Sequence, residues 1–232
     1  MLAQSVQSAC FTRMRSGVRV SHIPHDIFPD FGFRMATDIN KILKNLYELY
    51  DLTDRTIITV GAGGGQLIGY GNKAKKVLAI DYDKEALDKL KDNLIKAGLE
   101  EKFSLIYSDF SVLDLQGDVV MFEFCLHEMA SPEAALKHAK IMAPDIIVLD
   151  HMTGSDWAFI GAEEGKIEKS WKALMGLNPR KVQKFDTIQF FHDYEELYQR
   201  VKLQGETTIE RIQCYKDKTN ITIPMTYAIA LI

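Results

Sequence analysis

The sequence predicts an α/β fold: a doubly wound, mostly parallel sheet that ends in an antiparallel hairpin. Three observations predict it. Nearly continuous apolar runs alternate with amphipathic stretches from Arg55 to His151, the pattern of strands covered on both faces. A glycine-rich turn, Gly61–Gly65, directly follows the first run. Near the C-terminus, TTIERIQCY and ITIPMTYAIALI are separated only by KDKTN, which is too short for a parallel crossover and so predicts an antiparallel pair.

In chain order, Ile39, Ile42, Leu43, Leu46 and Leu49 recur at helical spacing between Met35 and Tyr50. RTIITV (Arg55–Val60) is the first strand and VLAIDYD, from Val77, the second. Asp83 is placed to cap the next helix and Gly98 to end it. Between the glycine turn and the second strand, Gln66–Lys76 is short and glycine-containing, and partly irregular structure is expected there. FSLIY and GDVVMFEF are the third and fourth strands. Ser131-Pro132-Glu133 opens a helix, with a hydroxyl N-cap, proline at N1 and an acid in the first turn. DIIVLDH is the fifth strand, and a helix around Tyr194–Leu203 stops at Gly205.

A chain of 232 residues with 47% hydrophobic and 26% charged residues has the composition of a globular protein. No apolar run approaches the ~20 residues of a membrane span, so no membrane partner is expected. The net charge of −4 argues against a dedicated nucleic-acid binder, which needs a basic face. Cys10, Cys125 and Cys214 are odd in number and widely spaced, which forms neither a disulfide framework nor a CxxC metal pattern. A cytoplasmic location is the simplest expectation. The absence of linkers and repeats favours a single domain over 35–232. Residues 1–34 are expected to form an arm or lid: Ser21–Phe33 is rich in aromatics and prolines, and His22, His25 and Arg34 stand in or beside it. Arg13, Arg15 and Arg19, without an acid nearby, leave a transit-peptide reading open.

The chemistry is expected at the carboxyl ends of the strands. Gly61 and Gly63 let the backbone turn sharply and approach a ligand with no Cβ in the way. Asp81, at the end of the second strand, is placed to accept hydrogen bonds from both hydroxyls of a ribose. Turn and acid together point to a nucleoside-containing ligand. A dinucleotide would need GxGxxG opening a helix, whereas here GAGGG runs into QLIGYG. S-adenosyl-L-methionine has no phosphates and needs close backbone more than a helix dipole.

From about Asp38 to Ile232 the chain resembles class I S-adenosylmethionine-dependent methyltransferases, a Rossmann-like fold, and among them the small-molecule methyltransferases of the ubiquinone/menaquinone type. VGAGGG matches the family's first motif, VLAIDYD its second, and YSDF and DVVMFEFCLHEMASPEAAL its later strand regions. The resemblance implies S-adenosyl-L-methionine held by Gly61, Ala62, Gly63, Asp81, Tyr82, Asp109 and Phe110, with Asp109 meeting the adenine amino group. The family usually has an acid where Thr59 stands. Glu123 is the candidate to meet the methionine ammonium instead, or else a structural strand-end acid.

Methyl transfer needs alignment and exclusion of water first, and a base only if the acceptor must lose a proton. His127, just beyond the fourth strand, is the first candidate base, against a loop-capping or cofactor-contacting histidine. His151 is the second, against a satisfied structural one. No metal is expected: HEMAS lacks the second histidine of HExxH, and Pro24 between His22 and His25 argues against a helical ligand pair. The stretch 151–185, with Trp157, Phe159 and Trp171, is expected to build the acceptor pocket. The expected function is transfer of a methyl group to a small organic acceptor. A non-catalytic cofactor-binding regulatory module and a nicotinamide-dependent oxidoreductase remain as alternatives.

Overall fold

The computed structural model describes residues 38–232; the expected N-terminal arm lies outside them. Seven strands form one sheet in the order β3-β2-β1-β4-β5-β7-β6. The parallel part is β1 (Thr56–Val60), β2 (Lys76–Asp81), β3 (Phe103–Tyr107), β4 (Val119–Glu123) and β5 (Asp145–His151). β6 (Lys181–Asp193) and β7 (Thr219–Leu231) are antiparallel to each other, and β7 is antiparallel to β5.

Helices cover both faces. α1 (Ile39–Leu49), capped by the Asp38 carboxylate, presents Ile39, Ile42, Leu43 and Leu46 to one face. α2 (Lys84–Ala97) adds Leu87, Leu90 and Leu94 to the same core. Asp83 caps α2 through the N–H groups of Glu85 and Ala86, and Gly98 ends it in the left-handed region at φ 66°. On the opposite face lie α3 (Pro132–Met142), started by Ser131, and α5 (Glu164–Met175). Leu136, Ala139, Ile167, Trp171 and Leu174 build the core there. Each fully buried leucine or isoleucine contributes about 1.5–3 kcal/mol, so both faces anchor the sheet. Gln66–Lys76 contains only a 3₁₀ turn, Ile68–Asn72, as its glycines lead one to expect.

The antiparallel pair is present, but its first member is not TTIERIQCY. That segment is α7 (Glu206–Ile212) followed by a 3₁₀ turn, with Thr208, Ile212 and Tyr215 buried at helical spacing. The partner of β7 is β6, paired from Lys181↔Leu231 to Asp193↔Thr219. α6 (Tyr194–Val201) and α7 connect the two strands, so the pair is joined by helices and not by a tight turn. The short α4 (Asp156–Ile160) precedes α5, and both fall in the stretch after β5 that is expected to line a pocket. No helix among the described residues is long and apolar enough to cross a membrane.

Candidate active site

The strand order reverses between β1 and β4, and a crevice opens there at the carboxyl ends of the strands. A cavity of about 280 Å³ occupies it. Its floor is Gly61–Gly64 and Glu123; His127, His151 and Glu163 stand at one side, and Trp157 and Met225 help enclose it. A larger groove of about 490 Å³, between α1 and the 68–72 turn, lies against Tyr47 and Gly69. It lacks both the glycine turn and the histidines, so the smaller cavity is the candidate site.

The glycine turn is built for close approach. Gly61 has φ 69°, and a Cβ there would lie 2.5 Å from the Cys125 Cβ. Gly63 has φ 52°, and a Cβ there would meet only the Gly61 carbonyl, at 3.8 Å, so a side chain would project into open space. The Gly63 N–H donates to Asp81 Oδ2 at 2.8 Å, and the Asp83 N–H donates to Oδ1 at 2.9 Å. Asp81 thus fixes the turn and keeps acceptor capacity on both oxygens. Tyr82 beside it is 78% exposed, an open aromatic face. Asp109 begins the neighbouring turn, and the Ser111 N–H, donating at 2.8 Å, holds its carboxyl below the usual range. Phe110 packs edge-on against Phe122 with centroids 5.6 Å apart and is core. Gly61, Ala62, Gly63, Glu123, His127 and His151 line the cavity; Asp81 is joined to it through Gly63, and Tyr82, Asp109 and Phe110 are not among its lining residues.

Glu123 Oε1 accepts hydrogen bonds from the Thr59 hydroxyl and from the Tyr70 hydroxyl, the latter at 2.6 Å. Burial pushes its carboxyl up to about 7, against the lowering effect of the two hydroxyls. An ammonium group of a ligand would favour the ionised form. Thr59 holds Glu123 from the neighbouring strand.

His127 is 5% exposed. Its Nδ1 lies 2.5 Å from Asp150 Oδ1, and its backbone N–H donates to Asp150 Oδ2 at 3.0 Å. Asp150, itself 1% exposed, also accepts from the His151 N–H at 2.9 Å. Burial presses the His127 imidazolium down, but the hydrogen bond and charge of Asp150, with Glu163 and Glu128, raise its pKa overall. His127 Nε2 faces Glu128 Oε1 at 3.4 Å and Glu163 Oε2 at 3.6 Å. His151 differs. Burial lowers its pKa to about 4, so it is neutral near pH 7, and its Nδ1 is buried with no partner among the described residues.

The glycine cradle, an acid with spare acceptor capacity at the end of β2, an exposed aromatic ring and a buried carboxylate suited to an ammonium fit an adenosyl amino acid. Residues 58–143 match the family model described as a methyltransferase domain. The segment carries β1 through α3, including the glycine turn, Asp81, Glu123 and His127.

A ribosomal protein L11 methyltransferase of Photobacterium profundum is 37% identical over 73 residues, which are 31% of this chain and 25% of that protein. The match therefore spans about a quarter of that relative's length. Among solved structures, a candidate methyltransferase of Bacillus halodurans C-125 aligns at TM-score 0.61 and 14% identity, covering 82% of this chain and 97% of that one. A SAM-dependent methyltransferase of Aquifex aeolicus aligns at TM-score 0.52 and 18% identity, covering 85% and 90%. At these identities the structural likeness shows a shared fold.

Around the methyltransferase-domain segment, two residues that sequence reasoning passed over complete the site. Asp150 holds His127, and Glu163, the residue before α5, faces it from the other side. A signal for Asp150 was present: an acid inside an apolar central strand needs a buried partner.

Proposed function

We propose that the protein transfers a methyl group from S-adenosyl-L-methionine to a small organic acceptor by in-line displacement. The observation that carries this reading is the continuity of one cavity from the glycine turn and Glu123 to the Asp150-held His127. Bound S-adenosylmethionine supplies a methyl group already activated by a sulfonium charge. The chain's own residues hold it: the Gly61–Gly63 backbone and Ala62 give close approach, Asp81 receives the ribose hydroxyls, and Tyr82 and Asp109 flank the adenine. Phe110 supports that rim from the core. Glu123 pairs with the ammonium.

His127 and His151 stand at the acceptor's side. Trp157 and Met225 help keep water from the reacting atoms, where alignment alone can supply ~7–11 kcal/mol of the barrier. A cavity of about 280 Å³ and a net charge of −4 favour a small molecule over a nucleic acid as acceptor.

Titration calorimetry with S-adenosylhomocysteine tests the reading. Micromolar binding is expected, weakened at least tenfold by Asp81→Ala, with no comparable binding of NAD. Binding of NAD in preference would favour the oxidoreductase. Binding without turnover of any labelled-methyl acceptor would favour a regulatory module.

A further inference from the structure

We infer that His127, Glu128 and Glu163 form a binding site for a divalent transition-metal cation, whose open positions take an oxygen of the acceptor. The inference rests on the proposed reading only for what the ion holds.

Asp150 Oδ1 engages His127 Nδ1 at 2.5 Å, which leaves Nε2 as the ring nitrogen free to ligate. Nε2 faces two carboxylate oxygens, Glu128 Oε1 at 3.4 Å and Glu163 Oε2 at 3.6 Å. One ligand atom from each of the three residues lies within 4.8 Å of the others. Three converging electron-pair donors repel one another unless a cation sits among them. A proton serves poorly, because 3.4 and 3.6 Å exceed the ~2.7–3.2 Å of a good N–H···O bond. Ligands at ~2.0–2.2 Å from a tetrahedral ion lie roughly 3.3–3.6 Å apart, which is the spacing of His127 Nε2 from each of the two carboxylate oxygens.

The surroundings support a metal centre. Buried Asp150 on the far nitrogen is the carboxylate–histidine arrangement that fixes a metal-binding tautomer. Lys166 Nζ holds the other Glu128 oxygen, Oε2, at 2.6 Å and leaves Oε1 turned to the cluster. An independent feature points to a ligand in the same place. His151 lines the cavity with its ring centroid 5.6 Å from that of His127, and its buried Nδ1 has no hydrogen-bond partner among the described residues. One imidazole with two carboxylates suits Mn(II) or Zn(II) better than the all-oxygen preference of Mg(II) or the sulfur preference of Cu(I). HEMAS does not show this site because its third ligand, Glu163, arrives from a later segment, just before α5.

The test is titration of chelator-treated full-length protein with Mn(II), followed by the electron paramagnetic resonance signal of the free ion, with S-adenosylhomocysteine binding measured in parallel. One Mn(II) per chain is expected, weakened at least tenfold by Glu163→Gln, which is nearly isosteric, and by Glu128→Gln, which changes an exposed side chain. Both variants are expected to retain the wild-type circular dichroism spectrum. Failure to bind Mn(II), or undiminished binding in both variants, overturns the site, and if S-adenosylhomocysteine still binds, the methyltransferase reading stands. Stoichiometric Mn(II) binding in a protein that does not bind S-adenosylhomocysteine supports the site and overturns that reading.

Discussion

At the scale of the residue, Glu123 is where chemistry and stability meet. In an unfolded chain its carboxyl would ionise near the usual 4.5, whereas in the fold burial holds it to about 7. Between those values the folded state keeps a proton that the unfolded chain has released, so this group weakens the fold as pH rises through the window. A ligand ammonium reverses that cost by pairing with the charged form. Binding then expels the proton, and affinity must fall on the acid side: S-adenosylhomocysteine is expected to bind about tenfold more weakly at pH 6 than at pH 8. In Glu123→Gln, calorimetry should give weaker binding at pH 8 and lose most of this pH dependence; an unaltered slope would assign it to another group, such as His127. The glycines, Asp81 and Glu123 were legible in the sequence because they sit at strand ends, where spacing along the chain maps onto space. For Asp150 the sequence signalled only the need for a buried partner, and for Glu163 nothing, since which residues from other segments their side chains meet depends on the fold.

At the scale of the element, the glycine turn separates two kinds of constraint. Gly65, at φ 77°, would place a Cβ 2.5 Å from Leu90 Cδ1 and 2.9 Å from Ile68 Cγ2. Gly65→Ala should therefore cost about 2–4 kcal/mol from the left-handed backbone and the overpacking together. Gly63→Ala meets no such wall and should cost only about 1–2 kcal/mol, yet it adds a methyl group to a residue that lines the cavity. Urea unfolding and S-adenosylhomocysteine titration of the two variants should rank them oppositely, with Gly65→Ala the less stable and Gly63→Ala the weaker binder. The same contrast between local and tertiary demands explains the misread C-terminal strand. TTIERIQCY is rich in β-branched residues, but Thr208, Ile212 and Tyr215 are what the core receives, and those follow a helical period. β6 was hidden for the reverse reason. Thr187 and Gln189 occupy two of its buried, alternate positions, so its period of two is written partly in polar residues.

At the scale of the whole molecule, the sheet order puts the ligand where distant parts of the chain converge. The β1–β4 crevice supplies the floor, α1 supplies Ile39 and Ile42, and Trp157, Glu163 and Met225 come from segments after β5. Arg211 of α7 ties this wall together, stacking over the Phe159 ring at 3.9 Å and pairing with Glu164 at 3.0 Å. A ligand in the cavity thus bridges α1, the methyltransferase-domain segment and the elements that follow it, each of which holds only part of the site. Because it binds the folded state and not the unfolded chain, it stabilises the assembled whole by about 2.7 kcal/mol at a hundredfold excess over Kd. In a domain of this size that corresponds to a rise of ~5–10 °C in melting temperature. S-adenosylhomocysteine is expected to give this shift in differential scanning fluorimetry, and NAD at equal concentration to give none. Hydrogen exchange should slow together in α1, at Gly61–Gly65 and in α4. Protection confined to the glycine turn would mean that the ligand leaves the C-terminal wall untouched, and the acceptor would then have to bind elsewhere.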